Sequence, residues 1–433
     1  MKKCALHNLG CKVNAYETEA MQEQLQDAGY EIVSFEEKAD VYVINTCSVT
    51  NIADRKSRQM IHRARRMNPE AIVVATGCYV QAFAEDLLAE GTVDIILGNN
   101  QKGKLVENLE RFEAEQATVT CMSDVLREKD FEDLWMSKTA EHTRAFIKIQ
   151  DGCNQFCSYC IIPYTRGRVR SRRPEEILRE VNALVKEGYQ EVVLTGILLS
   201  AYGVDFEEKT SLLEIVQMLN EVEGLERIRL GSLEPRVITE DFLQGLKETE
   251  KFCPHFHLSL QSGCDETLAR MNRHYTTGEY LDKCRMIREV FDHPAITTDV
   301  ITGFAGETEE EFAATKAFVE EVGFFEMHVF PYSKRKGTKA EKMPGQVTEA
   351  VKKARSRELL VLEQEMSDRF RSYYIGKEVA VLLEECVEIE GKKYTLGHTC
   401  EYVKVALAGE WDANKIVTVR ITGKLDADKM LAE

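Results

Sequence analysis

The sequence has no surplus of basic charge, no long apolar run and no paired-cysteine zinc pattern, and each absence excludes something. Its 56 Lys and Arg stand against 73 Asp and Glu, a formal charge of −17. That balance argues against non-specific nucleic-acid binding, and no DNA partner is expected. No stretch approaches the ~20 consecutive apolar residues that span a bilayer, so no membrane partner is expected either. Met1-Lys2-Lys3-Cys4 runs into a strand-like segment with no apolar h-region or cleavage site, so no signal peptide is expected. A disordered bias is also missing, since 44% apolar and 30% charged residues fit a soluble globular chain. A length of 433 residues exceeds one ordinary core and implies two or three domains. Thirteen cysteines without a secretory signal point to a reducing compartment, read as the cytoplasm, where they bind metal, catalyse or fill core.

The densest chemistry lies in Asp151-Gly152-Cys153-Asn154-Gln155-Phe156-Cys157-Ser158-Tyr159-Cys160. Its cysteines are separated by three residues and then by two. Structural zinc wants four ligands, usually as two separated pairs. Bacterial ferredoxins use gaps of about two, two and three. Neither template fits. Three unrelated core cysteines are the competing reading, but Gly152, Asn154 and Ser158 make the segment a loop. Three thiolates on a 4Fe–4S cube leave one iron free to bind a substrate or cofactor. The segment resembles the cluster loop of the radical S-adenosylmethionine (SAM) enzymes, whose open iron binds SAM. An aromatic before the last cysteine, here Tyr159, is typical of them.

Residues 1–116 alternate strand-like runs (Cys4–Asn8, Val41–Asn45, Ile72–Ala75, Val93–Leu97) with helical patterns such as Ala15–Ala28 and Gln81–Ala89. This implies βαβ units around a parallel sheet. Cys11, Cys47 and Cys78 each follow a strand, at the carboxyl edge where open α/β sheets hold ligands. Chance placement competes with a second iron–sulfur site, again one ligand short. The words Leu9-Gly10-Cys11-Lys12-Val13-Asn14, Asn45-Thr46-Cys47-Ser48-Val49-Thr50 and Thr76-Gly77-Cys78-Tyr79-Val80-Gln81 resemble the N-terminal domain of the methylthiotransferases. The resemblance implies that these three cysteines hold an auxiliary cluster.

Residues 117–140 lose periodicity and read as a linker; residues 141–375 resume it. Six strand runs (Arg144–Ile149, Glu191–Thr195, Arg227–Gly231, His255–Leu260, Ile296–Ile301, Glu326–Phe330) alternate with helical stretches and imply a partial (β/α) barrel with its chemistry at the carboxyl ends. Leu194-Thr195-Gly196, Gly231-Ser232-Leu233-Glu234, Leu258-Ser259-Leu260-Gln261 and Thr298-Asp299-Val300 make a polar rim, though such residues often only cap helices. The resemblance implies Gly196 near the SAM amino group, Ser232 and Glu234 near its ribose, and Val300 near its adenine. Two words depart from the family. Ile197-Leu198-Leu199 is apolar where relatives carry Asn, Asp or His at the second residue after the glycine, and Ala305 stands where proline is usual.

Two basic blocks interrupt this acidic chain. One carries Arg55, Lys56, Arg58, Arg63, Arg65 and Arg66; the other, after Cys160, carries Arg166, Arg168, Arg170, Arg172 and Arg173. Either is a solvated face or a phosphate contact. RNA contact is expected from Arg63, Arg65, Arg66, Arg166, Arg168 and Arg170. Residues 376–433 turn to period-two strands (Glu378–Leu383, Tyr394–His398, Tyr402–Ala406, Ile416–Gly423), a small antiparallel barrel. Gly397-His398-Thr399 and Tyr402-Val403-Lys404-Val405 resemble the RNA-binding TRAM domain, yet eight basic against eleven acidic residues give the segment no electrostatic case for RNA.

The resemblance therefore covers nearly the whole chain as an auxiliary-cluster domain, a radical-SAM barrel and a TRAM barrel. His142-Thr143-Arg144-Ala145-Phe146 and Pro163-Tyr164-Thr165-Arg166-Gly167 look like the MtaB branch of the radical-SAM methylthiotransferases. That implies two 4Fe–4S clusters, SAM, and an anticodon stem-loop of tRNA carrying threonylcarbamoyladenosine. It also implies an electron donor such as flavodoxin or ferredoxin. Cys153, Cys157 and Cys160 would hold the cluster that cleaves SAM to a radical, and Cys11, Cys47 and Cys78 the one that supplies sulfur. Within the class, isopentenyl-adenosine in tRNA and a ribosomal-protein aspartate are alternative substrates. Outside it, the alternative is a non-catalytic iron–sulfur or zinc RNA-binding protein.

Overall fold

A computed structural model describes residues 1–137 and 143–433. His142, and the part of the expected linker from 138 onward, lie outside the described residues. The N-terminal strands are β1 (Lys3–Asn8), β2 (Glu31–Ile32), β3 (Val41–Thr46), β4 (Ile72–Gly77), β5 (Ile95–Leu97) and β6 (Val119–Cys121). They form one parallel sheet in the order β2-β1-β3-β4-β5-β6. Helices α1 (Lys12–Asp27), α2 (Asn51–Met67), α3 (Cys78–Glu90) and α4 (Leu105–Glu115) connect them. Alternate residues feed two cores: Tyr42, Ile44, Val73 and Ala75 on one face, Val41, Val43, Val74 and Leu109 on the other. Both faces are thus covered, as an all-parallel sheet requires. Val119–Cys121, expected in a linker, instead adds the sixth strand.

Ala145–Lys148 is β7. The short strands β8 (Gln150–Asp151) and β9 (Arg170–Ser171) clip together either side of the cysteine loop and its helix α5 (Ile162–Arg166). Then come α6 (Pro174–Lys186), β10 (Glu191–Thr195), α7 (Leu212–Asn220), β11 (Arg227–Leu230), α8 (Glu240–Lys247), β12 (His255–His257), α9 (Asp265–Arg270), α10 (Thr277–Val290), β13 (Ala295–Thr302), α11 (Glu309–Val322), β14 (Glu326–Pro331) and α12 (Glu349–Ser372). Parallel triplets β11-β10-β7 and β12-β13-β14 are joined by the bridges Ile228–Phe252 and Leu233–Leu258, giving the six-stranded partial barrel expected. Capping boxes at Ser211/Glu214, Thr276/Glu279 and Thr308/Glu311 start three of its helices.

Strands β15 (Glu378–Ile389), β16 (Lys392–His398), β17 (Lys404–Ala408), β18 (Ile416–Lys424) and β19 (Met430–Ala432) close a small barrel in the order β15-β16-β17-β19-β18. It is antiparallel except where β17 meets β19. Tyr402, at φ +70°, reaches from this domain to the amino-terminal end of the larger barrel. Its ring stacks on His255 and His398, and Arg144 and Arg229 lie 4.9 Å from its centroid. Arg229 also donates to the carbonyls of Thr399 and Cys400. Among the described residues, no helix is long and apolar enough to cross a membrane.

Candidate active site between two cysteine triplets

The three N-terminal cysteines follow three neighbouring strands. Cys11 precedes α1, Cys47 ends the run from β3, and Cys78 opens α3 directly after β4. Backbone contact draws the loops together. A Cβ on Gly10 would stand 2.9 Å from Cys47 Sγ, and one on Gly77, at φ +96°, would meet the Thr46 carbonyl at 2.3 Å. Only glycine fits these approaches. Asn14 ties the rim by donating to the carbonyls of Leu9 and Thr46. Cys11 is exposed, while Cys47 and Cys78 are buried. Burial, with the neighbouring thiols, pushes Cys11 up and Cys47 up to about 12.

The second triplet sits on a loop pinned from several directions. Gly152, at φ +71°, passes so close to Arg168 that a Cβ would lie 1.8 Å from its carbonyl oxygen. Cys153 N–H donates to Gly167 O at 3.0 Å, and Ser158 N–H to Met271 O at 2.9 Å. Asn272 Nδ2 donates to the carbonyls of Gln155 and Phe156. Arg273 Nη1 donates to Cys157 Sγ at 3.3 Å, and Gln155 N–H approaches Cys153 Sγ at 3.5 Å. Burial pushes Cys153 up to about 11. Tyr159 packs beside Phe304 and Met271.

Between the triplets runs a buried charge network centred on Arg166. Its Nε–H donates to Cys78 Sγ at 3.3 Å. Nη1 donates to Glu17 at 2.8 Å and to both Asp151 oxygens at 3.1 Å, and Nη2 donates to Asn14 Oδ1 at 2.6 Å. Lys148 bridges Glu17 and Asp151 at 2.7 Å each, and Lys102 reaches Glu17 at 3.2 Å. Burial opposes a charge on Glu17, but Arg166, Lys102 and Lys148 outweigh it and hold its carboxyl well below the usual range. A second clamp joins Arg335, on the loop after β14, to Ser48, Asn51 and Asp54 beside Cys47.

This arrangement corrects part of the RNA expectation. Arg166 and Arg170 are fully buried and cannot meet a phosphate, because Glu17 and Asp151 claim the first while the carbonyls of Arg166 and Arg168 hold the second. Arg65 is likewise spent on Asp94 and the carbonyls of Pro69 and Ala71, and Arg63 pairs with Glu36. Arg66 and Arg168 face solvent, the latter 4.7 Å over the Phe156 ring.

Of the rim residues, Gly196 admits Gln150: a Cβ there would lie 2.8 Å from Gln150 Oε1, which also accepts from Leu198 N–H. Glu234 is buried, paired with Arg236, and accepts from Gln155 of the cysteine loop at 3.3 Å. Ser232 is exposed, and Val300 is buried where β13 bridges to Gln261. Leu199 enters the barrel core while Ile197 and Leu198 stay half-buried at the rim. Sequence reading assigned no role to Arg273, Asn272, Gln150 or Glu17. What marks them is contact in three dimensions: Arg273 with Cys157, Asn272 with the carbonyls of Gln155 and Phe156, Gln150 with Leu198 N–H, and Glu17 with Arg166.

The residues present fit iron–sulfur clusters better than a single ion. Three thiolates around one zinc stand about 3.8 Å apart, given Zn–S bonds of about 2.3 Å. Among the described residues, the one group of three His, Cys, Asp or Glu side chains placed to hold a single metal ion is His257, Asp299 and His328, and neither cysteine triplet forms such a group. In the network that reaches Cys78 through Arg166, four buried cations (Lys102, Lys148, Arg166, Arg170) meet three buried carboxylates (Glu17, Glu132, Asp151). Among the described residues, Arg170 Nε and Nη2 find no hydrogen-bond partner. A positive surplus of this kind suits a thiolate-ligated cluster of net negative charge. The raised thiols mean that metal must displace protons on binding.

A family model described as Uncharacterized protein family UPF0004 matches residues 3–98, and one described as Radical SAM superfamily matches residues 147–319. A threonylcarbamoyladenosine tRNA methylthiotransferase of Bacillus subtilis is 41% identical over 97% of this chain and 94% of its own length. A tRNA-2-methylthio-N(6)-dimethylallyladenosine synthase of Clostridium tetani is 36% identical over 96% and 93%. The radical SAM methyltransferase TsrM of Kitasatospora setae superposes with a TM-score of 0.56 at 15% identity, over 76% of this chain and 73% of that one, a likeness of fold. With two thiolate triplets across one charge network and relatives of this identity over nearly its whole length, the chain belongs to the radical-SAM methylthiotransferase family.

Proposed function

We propose that this protein converts N6-threonylcarbamoyladenosine beside the tRNA anticodon into its 2-methylthio derivative. The observation that carries this reading is the meeting of the Cys11/Cys47/Cys78 and Cys153/Cys157/Cys160 sets across Arg166. The Bacillus subtilis relative, named for that nucleoside, supports the choice of substrate. When bound, the two 4Fe–4S clusters and SAM supply the one-electron, sulfur and methyl chemistry that side chains cannot. The protein's share is position. Each triplet would leave one iron open, toward SAM on one side and toward sulfur on the other. Arg166 and Arg273 set positive charge against a ligand thiolate of each set, and hydrogen bonds to sulfur tune a cluster's potential. Glu234, Ser232 and Val300 would line the SAM side, while exposed Arg66 and Arg168 are offered for the RNA backbone. A flavodoxin- or ferredoxin-like electron donor and a cytoplasmic location complete the proposal.

Nucleoside mass spectrometry of tRNA from a deletion strain tests it. Loss of the methylthio-threonylcarbamoyl nucleoside is expected; its persistence without another enzyme sinks the substrate assignment. Anaerobic reconstitution should give about eight irons per chain from two 4Fe–4S cubes. Zinc in their place would instead favour a non-catalytic RNA-binding protein.

A further inference from the structure

Three neighbouring strands of the larger barrel, β12, β13 and β14, carry a second group of polar side chains. Asp299 on β13 lies between two histidines from its neighbouring strands, 3.3 Å from His257 Nε2 and 3.0 Å from His328 Nδ1. Thr297 Oγ1 lies 3.0 Å from His257 Nδ1 and fixes that ring. His328 is 61% exposed, so its remaining nitrogen is free to face a ligand. The Asp299 hydrogen bond favours its charged form.

Lys12, the residue after Cys11, reaches into the same space from the N-terminal domain. It is exposed, its ammonium 6.0 Å from the Phe146 ring. Arg144 and Arg229 crowd it with like charge, and Asp299 and Glu191 face it. Both acids are already engaged: Glu191 by Arg229 and Arg227, and Asp299 by the two histidines. Among the described residues, neither closes an ion pair with Lys12. A cation with like-charged neighbours and committed acids is a place for an anion.

We propose that Lys12 and His328 form a carboxylate pocket that selects the threonyl carboxylate carried on N6 of the target adenosine. This inference rests on the substrate reading above. The reacting C2 and the substituted C6 both flank N1 of one ring. A group on N6 therefore lies close to the sulfur-bearing wall, where Lys12 follows Cys11. The isopentenyl group of the rival substrate carries no charge and gains nothing from Lys12. The Asp299–histidine spacings also suit neighbouring ligands of an octahedral ion, about 3 Å apart for metal–ligand bonds of about 2.1 Å. Lys12, Arg144 and Arg229, however, would repel a divalent cation, so an anion is favoured.

The test is equilibrium binding of anticodon hairpins to the iron-reconstituted enzyme without reductant, so that no turnover occurs. Three hairpins are compared, bearing threonylcarbamoyl-, threonylcarbamoyl methyl ester- and isopentenyl-adenosine. The unaltered enzyme should prefer the free carboxylate over its ester by about tenfold, the scale of one charge-assisted hydrogen bond. Lys12→Gln should erase that preference while binding the isopentenyl hairpin unchanged, and His328→Gln should reduce it. Wild-type preference for the carboxylate that survives Lys12→Gln, or equal weakening of all three hairpins, overturns the pocket alone. Dependence of the preference on a divalent ion removable by EDTA reassigns the histidines to metal and also overturns it. Absence of any threonylcarbamoyl preference in the unaltered enzyme defeats the substrate reading itself. Because the ester hairpin needs no substitution, the comparison holds even where a variant fails to fold.

Discussion

Arg166 is the side chain on which the two cysteine sets most directly depend. It is fully buried among Glu17, Asp151 and Asn14, with its Nε on Cys78. Removing one member of a buried ion network leaves the others uncompensated, typically at about 3–5 kcal/mol. Arg166→Gln should therefore lower the thermal midpoint sharply, and Arg166→Lys should recover part of the loss while giving up the planar fork. A midpoint within error of wild type for Arg166→Gln would contradict the network. Cys153, Cys157 and Cys160 stood out by their spacing, and Cys11, Cys47 and Cys78 by their places after strands and by the family words around them. The setting of the arginines was not readable, because whether a basic run meets water or buried acid depends on Glu17, far away in sequence and brought back by α1.

At the scale of elements, the two cysteine loops should fail differently. Cys157→Ala is expected to abolish SAM cleavage, followed as 5′-deoxyadenosine. Cys47→Ala should retain some cleavage yet yield no methylthio product, and full product from it would refute a two-site scheme. The C-terminal barrel hangs on Tyr402, held between Arg144 and Arg229 and stacked on His255. Aromatic truncation at such a site costs about 3–5 kcal/mol. Tyr402→Ala should make residues 376–433 exchange amide hydrogens faster while β1–β6 keep their protection; unchanged exchange would show the contact to be passive. The longer strands and most helices were legible from periodicity. Strands β2, β6, β8, β9 and β19 were not, for these short pieces owe their form to the neighbour they pair with.

Across the whole molecule, the domain contact carries a pH signature. Glu17 is held below the usual carboxylate range, so its contribution is complete above the ordinary glutamate value of about 4.3 and is lost as pH falls through its lowered folded value. The gap in thermal midpoint between wild type and Glu17→Gln should stay constant from about pH 8 to 5 and narrow below about pH 4. A gap that widened in acid would mean that Glu17 folds neutral. The same contact limits how freely domains can be exchanged among relatives. Asn14 and Glu17 come from the first domain, and Asp151 and Arg166 from the second. A chimera that imports only one side inherits half of a charge balance. Recombination would preserve the enzyme only when all four residues travel together, which makes the two domains a single unit of inheritance despite their separate sheets.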